Sequence, residues 1–169
     1  MNKKEILAKV ISEVEQLFAQ ALTAAQQAHN AAIDDQSVAE TQYDTLAIEA
    51  AYLAEGQSRR ITQLKEQLHI LSKQSSDAKQ QITIGALFTL EYDNESTSGS
   101  SVSKHFYLLP CAAGTCITLT NKEFLDGQKV YVLTPESPLG KVLVGLSIDD
   151  DFSVAIGANV QSGFVSAVY

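Results

Sequence analysis

A chain of 169 residues with 45% hydrophobic side chains has enough apolar surface for one or two small domains with real cores, which excludes a disordered polypeptide. Its formal net charge of −8 opposes affinity for phosphate backbones and leaves proteins as the natural partners. Its apolar runs are broken by Gln, Glu or Ser well short of the ~20 residues that a bilayer demands, which excludes a helical membrane span.

The opening MNKKEIL leads into an amphipathic helix rather than a short apolar signal segment, so a cytoplasmic protein is expected. From there the apolar positions Leu7, Ile11, Val14, Phe18, Ala21, Ala25, Ala28 and Ala32 recur at alternating steps of three and four, the signature of a coiled-coil seam. A second series runs through Tyr43, Leu46, Ala50 and Leu53, slips near Gln57, and resumes at Ile61, Leu64, Leu68 and Leu71. The two predicted helices pair as an antiparallel hairpin from about Lys4 to Leu71, with the turn inside Ile33–Ser37. At 1.5 Å per residue each is about 45 Å long, more than a helix needs to cover a small core, so the length implies reach.

Side-chain size and charge refine this arm. Large aliphatics and Phe18 occupy the seam far from the turn and Ala dominates near it, so the helix axes can approach and the arm tapers. Between Val10 and Ser58 there is no Lys or Arg, while Glu13, Glu15, Asp34, Asp35, Glu40, Asp44, Glu49 and Glu55 all fall in that span. A thin acidic finger results. Its turn, AAIDDQSVAETQY, contains the capping box Ser37-Val38-Ala39-Glu40, in which the Ser37 hydroxyl accepts from the Glu40 amide and the Glu40 carboxylate reaches back. Capping accounts for Ser37 and Glu40. It does not account for adjacent Asp34 and Asp35, because a turn accepts Asn or Gly without their mutual repulsion.

The polar stretch from Ser72 to Gln81 reads as a linker, dividing a helical domain at 1–74 from a second domain at 75–169. ITIGALFTLEY, HFYLLP, CITLTN and KVYVLTP read as strands, with DNESTSGSSVSK as a hairpin loop after the first. The segment Ser137–Gly145 has Ser at the N-cap, Pro at the first helical position and Gly past the last turn, which predicts a short helix. Phe152–Ile156 and Gly163–Val168 then close the domain as a hairpin. The architecture expected is α+β: a helical hairpin followed by an antiparallel sheet with one packed helix. Cys111 and Cys116, with four residues between them in PCAAGTC, lack a second Cys or His pair for a tetrahedral metal site and read as reduced, structural cysteines. His29, His69 and His105 fall on separate elements, and Arg59, Arg60 and Lys65 read equally as solvated flanks or as contacts at the hairpin base.

A long helical hairpin with an acidic tip, followed by a sheet domain containing TPESPLGKVLVGLSIDDDFSV, resembles the bacterial Gre transcript-cleavage factors and their relatives. In that family Ser-Pro-hydrophobic, two further hydrophobics and Gly, then an acidic turn and a strand, mark an FKBP-like C-terminal domain. Ser137, Pro138, Leu139, Leu143, Gly145 and Asp149–Asp151 fit the pattern, and Glu55-Gly56 followed by basic residues fits the second helix. The family's tip reads G-D-L-x-E-N-x-x-Y. Counted back from Tyr43 with one deletion, Glu40 takes the Glu position and Ser37 the Asp position, with Asp34 and Asp35 upstream.

The resemblance implies an accessory factor, not an enzyme in itself, that enters the secondary channel of RNA polymerase. It implies that Asp34, Asp35 and Glu40 help hold a Mg²⁺ ion shared with the polymerase active site, reaching the nascent RNA 3′ end indirectly. It implies docking of the C-terminal domain on the polymerase through Ser137, Pro138, Leu139, Gly140 and Gly145, by a monomer. A second reading is a regulator that fills the same channel without stimulating cleavage. A third, a stand-alone chaperone or prolyl isomerase, has only the fold analogy behind it.

Overall fold

The computed structural model describes residues 2–33, 45–93, 102–119, 127–157 and 159–169, with the backbone alone at 31–33, 45–47 and 50. Helices α1 (Lys3–Ile33) and α2 (Thr45–Ser72) come first, and then strands β1 (Leu87–Tyr92), β2 (Val102–Leu108), β3 (Cys116–Thr118) and β4 (Lys129–Leu133). The short helix α3 (Pro138–Leu143) precedes β5 (Asp151–Ile156) and β6 (Asn159–Val168). The fold is α+β, a helical hairpin followed by a six-stranded sheet with one short helix. Two compact units divide it: Ile11–His69, and Met1–Val10 together with Ile70–Tyr169.

In the first of these units, the α1 seam follows the expected register. Val14, Ala21 and Ala28 are buried and Ile11, Phe18 and Ala25 are half-buried, while the positions between them are mostly open to solvent. On α2 the seam departs from expectation. Leu53 is 56% exposed, and the inward positions are Ala54, Gln57, Ile61, Leu64 and Leu68. Steps of three and four thus run without a slip, and Gln57 itself holds a seam position. Hydrophobicity favours Leu53 over its neighbour, but the helical period favours Ala54, and a small side chain there lets the helix axes approach.

The sheet has the order β3-β4-β2-β1-β6-β5. Every neighbouring pair is antiparallel except β2 and β4, which run parallel with His105 opposite Val130 and Leu108 opposite Leu133. The sheet is therefore mixed: β4 returns to β2 in the same direction after β3 has crossed outside it. The expected loop DNESTSGSSVSK is shorter than its composition suggests, because Val102, Ser103 and Lys104 pair with Tyr92, Glu91 and Leu90. Ladder hydrogen bonds outweigh the low strand preference of Ser and Lys here.

Central position explains why Leu87, Phe88, Thr89 and Leu90 of β1 are all buried. One face carries Phe88, Leu90, Phe106, Leu108, Phe152, Val154 and Val165, which form a single core with Leu139 and Leu143 of α3. Phe88 and Phe106 stack with ring centroids 5.8 Å apart. The other face is more polar. His105 Nδ1 lies 2.9 Å from the Thr89 hydroxyl across the β1–β2 pair, and its Nε2 faces the Gln128 side-chain oxygen, so both ring nitrogens are satisfied. Tyr107 is fully buried, and its hydroxyl has no hydrogen-bond partner among the described residues. Burial pushes that hydroxyl's pKa up to about 12.

The first turn of α1, which belongs to the sheet unit, is fastened within it by a buried lysine. Lys3 is buried, and its ammonium donates to the backbone oxygens of Asp77 and, at 3.0 Å, of Tyr169. Tyr169 N in turn donates to Leu87 O at 2.8 Å, which ties this contact to the central strand. Desolvation lowers the Lys3 pKa, with Lys79 acting in the same direction and Asp77 against it.

Candidate functional site

Three places in the molecule qualify on sequence or shape: the acidic arm, the α3 region and a recess at one end of the sheet. In the arm, Asp34, Asp35, Glu40, the Ser37–Glu40 capping box and the expected turn lie outside the described residues. What is described is the shaft. Helix α1 is 31 residues long and α2 is 28, and their outer faces carry Glu13, Glu15, Glu49 and Glu55 exposed. Glu55 accepts from Arg59 one turn on, at 2.7 Å, the point where basic residues resume. Large apolar side chains also stand in solvent on this unit, namely Leu17, Leu22, Ile48, Tyr52 and Leu53.

Around α3 the sequence motif has a structural task at nearly every position. The Ser137 hydroxyl accepts from Gly140 N at 3.0 Å and donates to Thr134 O at 2.7 Å, so it caps the helix and closes the preceding turn at once. Pro138 needs no amide partner at the first helical position. Leu139 and Leu143 face the core. A Cβ on Gly140 would lie 2.0 Å from Thr134 O, so no other residue fits without moving the backbone. Gly145 has φ +93°, the left-handed conformation that ends the helix, and its amide donates to Ile82 O at 2.9 Å.

The residues that the motif leaves facing solvent are Pro138, Lys141, Val142, Val144 and Gly145, joined by exposed Ile148. Ile82 N donates to Leu146 O and Gln81 pairs with Ser147, so the strip 81–84 lies beside 145–148 and brings exposed Ile84 to the same region. Of the proposed docking residues, then, Ser137, Leu139 and Gly140 shape the surface, and Pro138 and Gly145 lie on it. Val142, Val144, Ile148 and Ile84 are exposed aliphatics that the sequence pattern does not single out, because a motif marks the residues that a fold requires. Exposed aliphatics carry no such mark. The expected acidic turn is present: Asp150 Oδ2 accepts from Ser147 N at 2.7 Å, Asp149 adopts φ +70°, and Asp151 opens β5.

The recess, about 230 Å³, is lined by Tyr92, Asp93, Lys104, Val160, Gln161 and Ser162, among others. The Lys104 ammonium sits 4.9 Å from the centre of the Tyr92 ring, which also makes a T-shaped contact with Phe152 at a centroid distance of 5.4 Å. Burial pushes the Tyr92 hydroxyl up to about 12, so it stays protonated at neutral pH. Among the described residues no side-chain hydrogen bond joins a nucleophile to a base there. Cys111 and Cys116 are not joined by a disulfide, and burial raises the Cys111 thiol pKa, which opposes thiolate chemistry. Among the described residues no group of three or more His, Cys, Asp or Glu side chains could hold a metal. No helix among them is long and apolar enough to cross a membrane.

No protein-family model matches the chain, and no curated protein matches it. Solved structures do. The chain is similar to the GreA factor homolog 1 protein of Thermus thermophilus, at 16% identity and a TM-score of 0.35, over 94% of this chain and 94% of that one. It is similar to Gfh1 of Thermus aquaticus at 15% identity and a TM-score of 0.36, over 94% and 92% of the two chains. A structure of the transcription factor Gfh1 matches at 17% identity and a TM-score of 0.36, over 100% of this chain and 94% of that one. Likenesses this distant leave the functional assignment to the residues of the chain itself.

Proposed function

We propose that the chain is a Gre-like transcription elongation factor, an accessory protein that binds RNA polymerase and passes its helical arm into the secondary channel. The observation that carries this reading is that most of two helices of 31 and 28 residues forms a compact unit of its own, Ile11–His69, with no Lys or Arg from Val10 to Ser58. Helices of this length exceed what covering a small core needs, and an arm lacking positive charge suits delivery of carboxylates to a metal-dependent centre. The sequence motifs of the α3 region support the same family, and its exposed aliphatics offer the surface by which a monomer would dock on the polymerase.

Within this reading Asp34, Asp35 and Glu40 provide hard carboxylate oxygens of the kind Mg²⁺ accepts, for an ion shared with polymerase carboxylates. When bound, such an ion polarises the phosphodiester and activates water near the RNA 3′ end. The chain's own part is to carry the carboxylates in on an arm that has no Lys or Arg between Val10 and Ser58 to compete with the metal for them. Asp34→Asn with Asp35→Asn, and separately Glu40→Gln, should leave polymerase binding intact and abolish most of any stimulated cleavage in stalled complexes at saturating factor. Equal cleavage by the variants and the unmodified protein would reduce the acidic tip to a helix cap.

A second reading, a channel-filling regulator that does not stimulate cleavage, is favoured by one specific observation: the tip lacks the Asp and Glu three residues apart that the family motif carries. The same assay separates the two, because such a regulator binds the stalled complex without shortening its RNA.

A further inference from the structure

On the shaft of the arm, one apolar surface has no use inside the molecule. Ile48 and Tyr52 stand one turn apart on α2, Leu53 follows, and the three are 50%, 71% and 56% exposed. The inward positions of this helix continue at Ala54, Gln57 and Ile61, so this surface contributes little to the hairpin's own packing. An outer helix face normally carries Lys, Glu or Gln, and a large apolar pair at i and i+4 in solvent offers the hairpin no stability to offset its cost in solubility. The charge of the arm narrows what can cover it. Glu49 lies between Ile48 and Tyr52 in sequence, and Glu13, Glu15 and Glu49 are exposed with no ion-pair partner among the described residues.

We propose that Ile48, Tyr52 and Leu53 form a lateral docking surface that seats in an apolar socket rimmed by Lys and Arg on the protein receiving the arm. The proposal rests on the reading of that protein as RNA polymerase, and adds to it a contact independent of the tip carboxylates. Charge complementarity selects this occupant. A second copy of the chain would set one cation-free acidic face against another, and a nucleic acid would meet the same repulsion, whereas a basic protein surface gains from it. Tyr52 supplies the feature that most often anchors such contacts: a large rigid ring with a polar edge. The surface thus holds the shaft in a fixed register while the tip acts.

The test is a titration of the full chain against bacterial core RNA polymerase at several salt concentrations. It compares the unmodified protein, the triple variant Ile48→Gln, Tyr52→Gln, Leu53→Gln, the single Tyr52→Gln, and Glu49→Gln. Glutamine keeps helix propensity high, so circular dichroism should show every variant as helical as the unmodified protein. The triple variant should bind about tenfold or more weakly with its salt dependence kept, and Tyr52→Gln should account for most of that loss. Glu49→Gln should instead flatten the salt dependence. Unmodified affinity in the triple and single variants overturns the docking surface and leaves the polymerase reading standing. No binding by the unmodified chain overturns both. Sedimentation that shows a dimer for the unmodified chain and a monomer for the triple variant would assign the patch to self-association, and overturns the proposal as well.

Discussion

The sheet unit and the hairpin unit are held by different physics, and the contrast explains why one reads as scaffold and the other as tool. In the sheet unit Phe88, Leu90, Leu108, Leu143 and Val165 are all inaccessible to solvent and close one core, and Gly140 fits where no side chain can. In the hairpin unit the seam narrows to Ala21 and Ala28 on α1 and to Ala54 and Gln57 on α2, while Tyr52 and Leu53 face water. Small seam residues bring helix axes close but bury little area per turn. A unit built this way gives up stability for slenderness and for a surface free to meet a partner.

The largest expected effect sharpens the contrast from the sheet side. Leu143→Ala removes a side chain that α3 buries completely in the core, and should lower stability by about 2–5 kcal/mol, read as a shift in the urea midpoint. The hairpin counterpart is Ala28→Gly at a buried seam position, which should cost only about 1 kcal/mol, most of it helix propensity. If the two changes proved equally damaging, the hairpin would be as tightly determined as the sheet, and the contrast would fail.

Lys3→Met tests the fastening of the α1 start within the sheet unit. It keeps the stem's packing but leaves the oxygens of Asp77 and Tyr169 short of a donor, for an expected loss of about 1–3 kcal/mol in thermal unfolding. Faster amide exchange at the start of α1, with the sheet core unaffected, would be the local signature.

Tyr107→Phe should go the other way and raise stability by about 1 kcal/mol, since it removes a buried hydroxyl with no partner among the described residues. The same residue predicts an alkaline limit. Its folded pKa of about 12 lies above the ordinary 10.0, so the folded state keeps the proton longer. That contribution is fully present below pH ~10 and is lost as pH rises towards 12. The Phe variant should show a shallower fall in melting temperature across that window, and identical slopes would place the titration elsewhere. The smallest effect belongs to Arg59→Ala, which breaks an exposed i,i+4 pair on the hairpin and should change stability by less than about 0.5 kcal/mol.

Much of the fold was legible because period and punctuation are local properties. The α1 seam, the short helix begun by Ser137-Pro138 and ended by Gly145, and the closing hairpin all follow from spacing that adjacent residues impose on one another. The candidate site was legible to a lesser extent. Ser137, Pro138 and Gly145 stood out because helix capping leaves few alternatives, yet exposed side chains such as Val144 and Ile148 obey no local rule.

By itself, then, the sequence determined two helices with apolar stripes, the cation-free acidic character of the arm, the capped α3 and the succession of strands. Each depends only on side-chain periodicity or on charge counted along the chain. The tertiary structure alone decided that β4 runs parallel to β2, that Val102–Lys104 join the sheet, that Ala54 rather than Leu53 turns inward, and that Lys3 is buried against Asp77 and Tyr169. In each case the deciding partner lies outside the local stretch: on the neighbouring strand for Val102–Lys104, on the neighbouring helix for Ala54, and far away in sequence for β4 and Lys3. A contact made across such distances is selected by the fit of two surfaces, a property that no single stretch of the chain encodes.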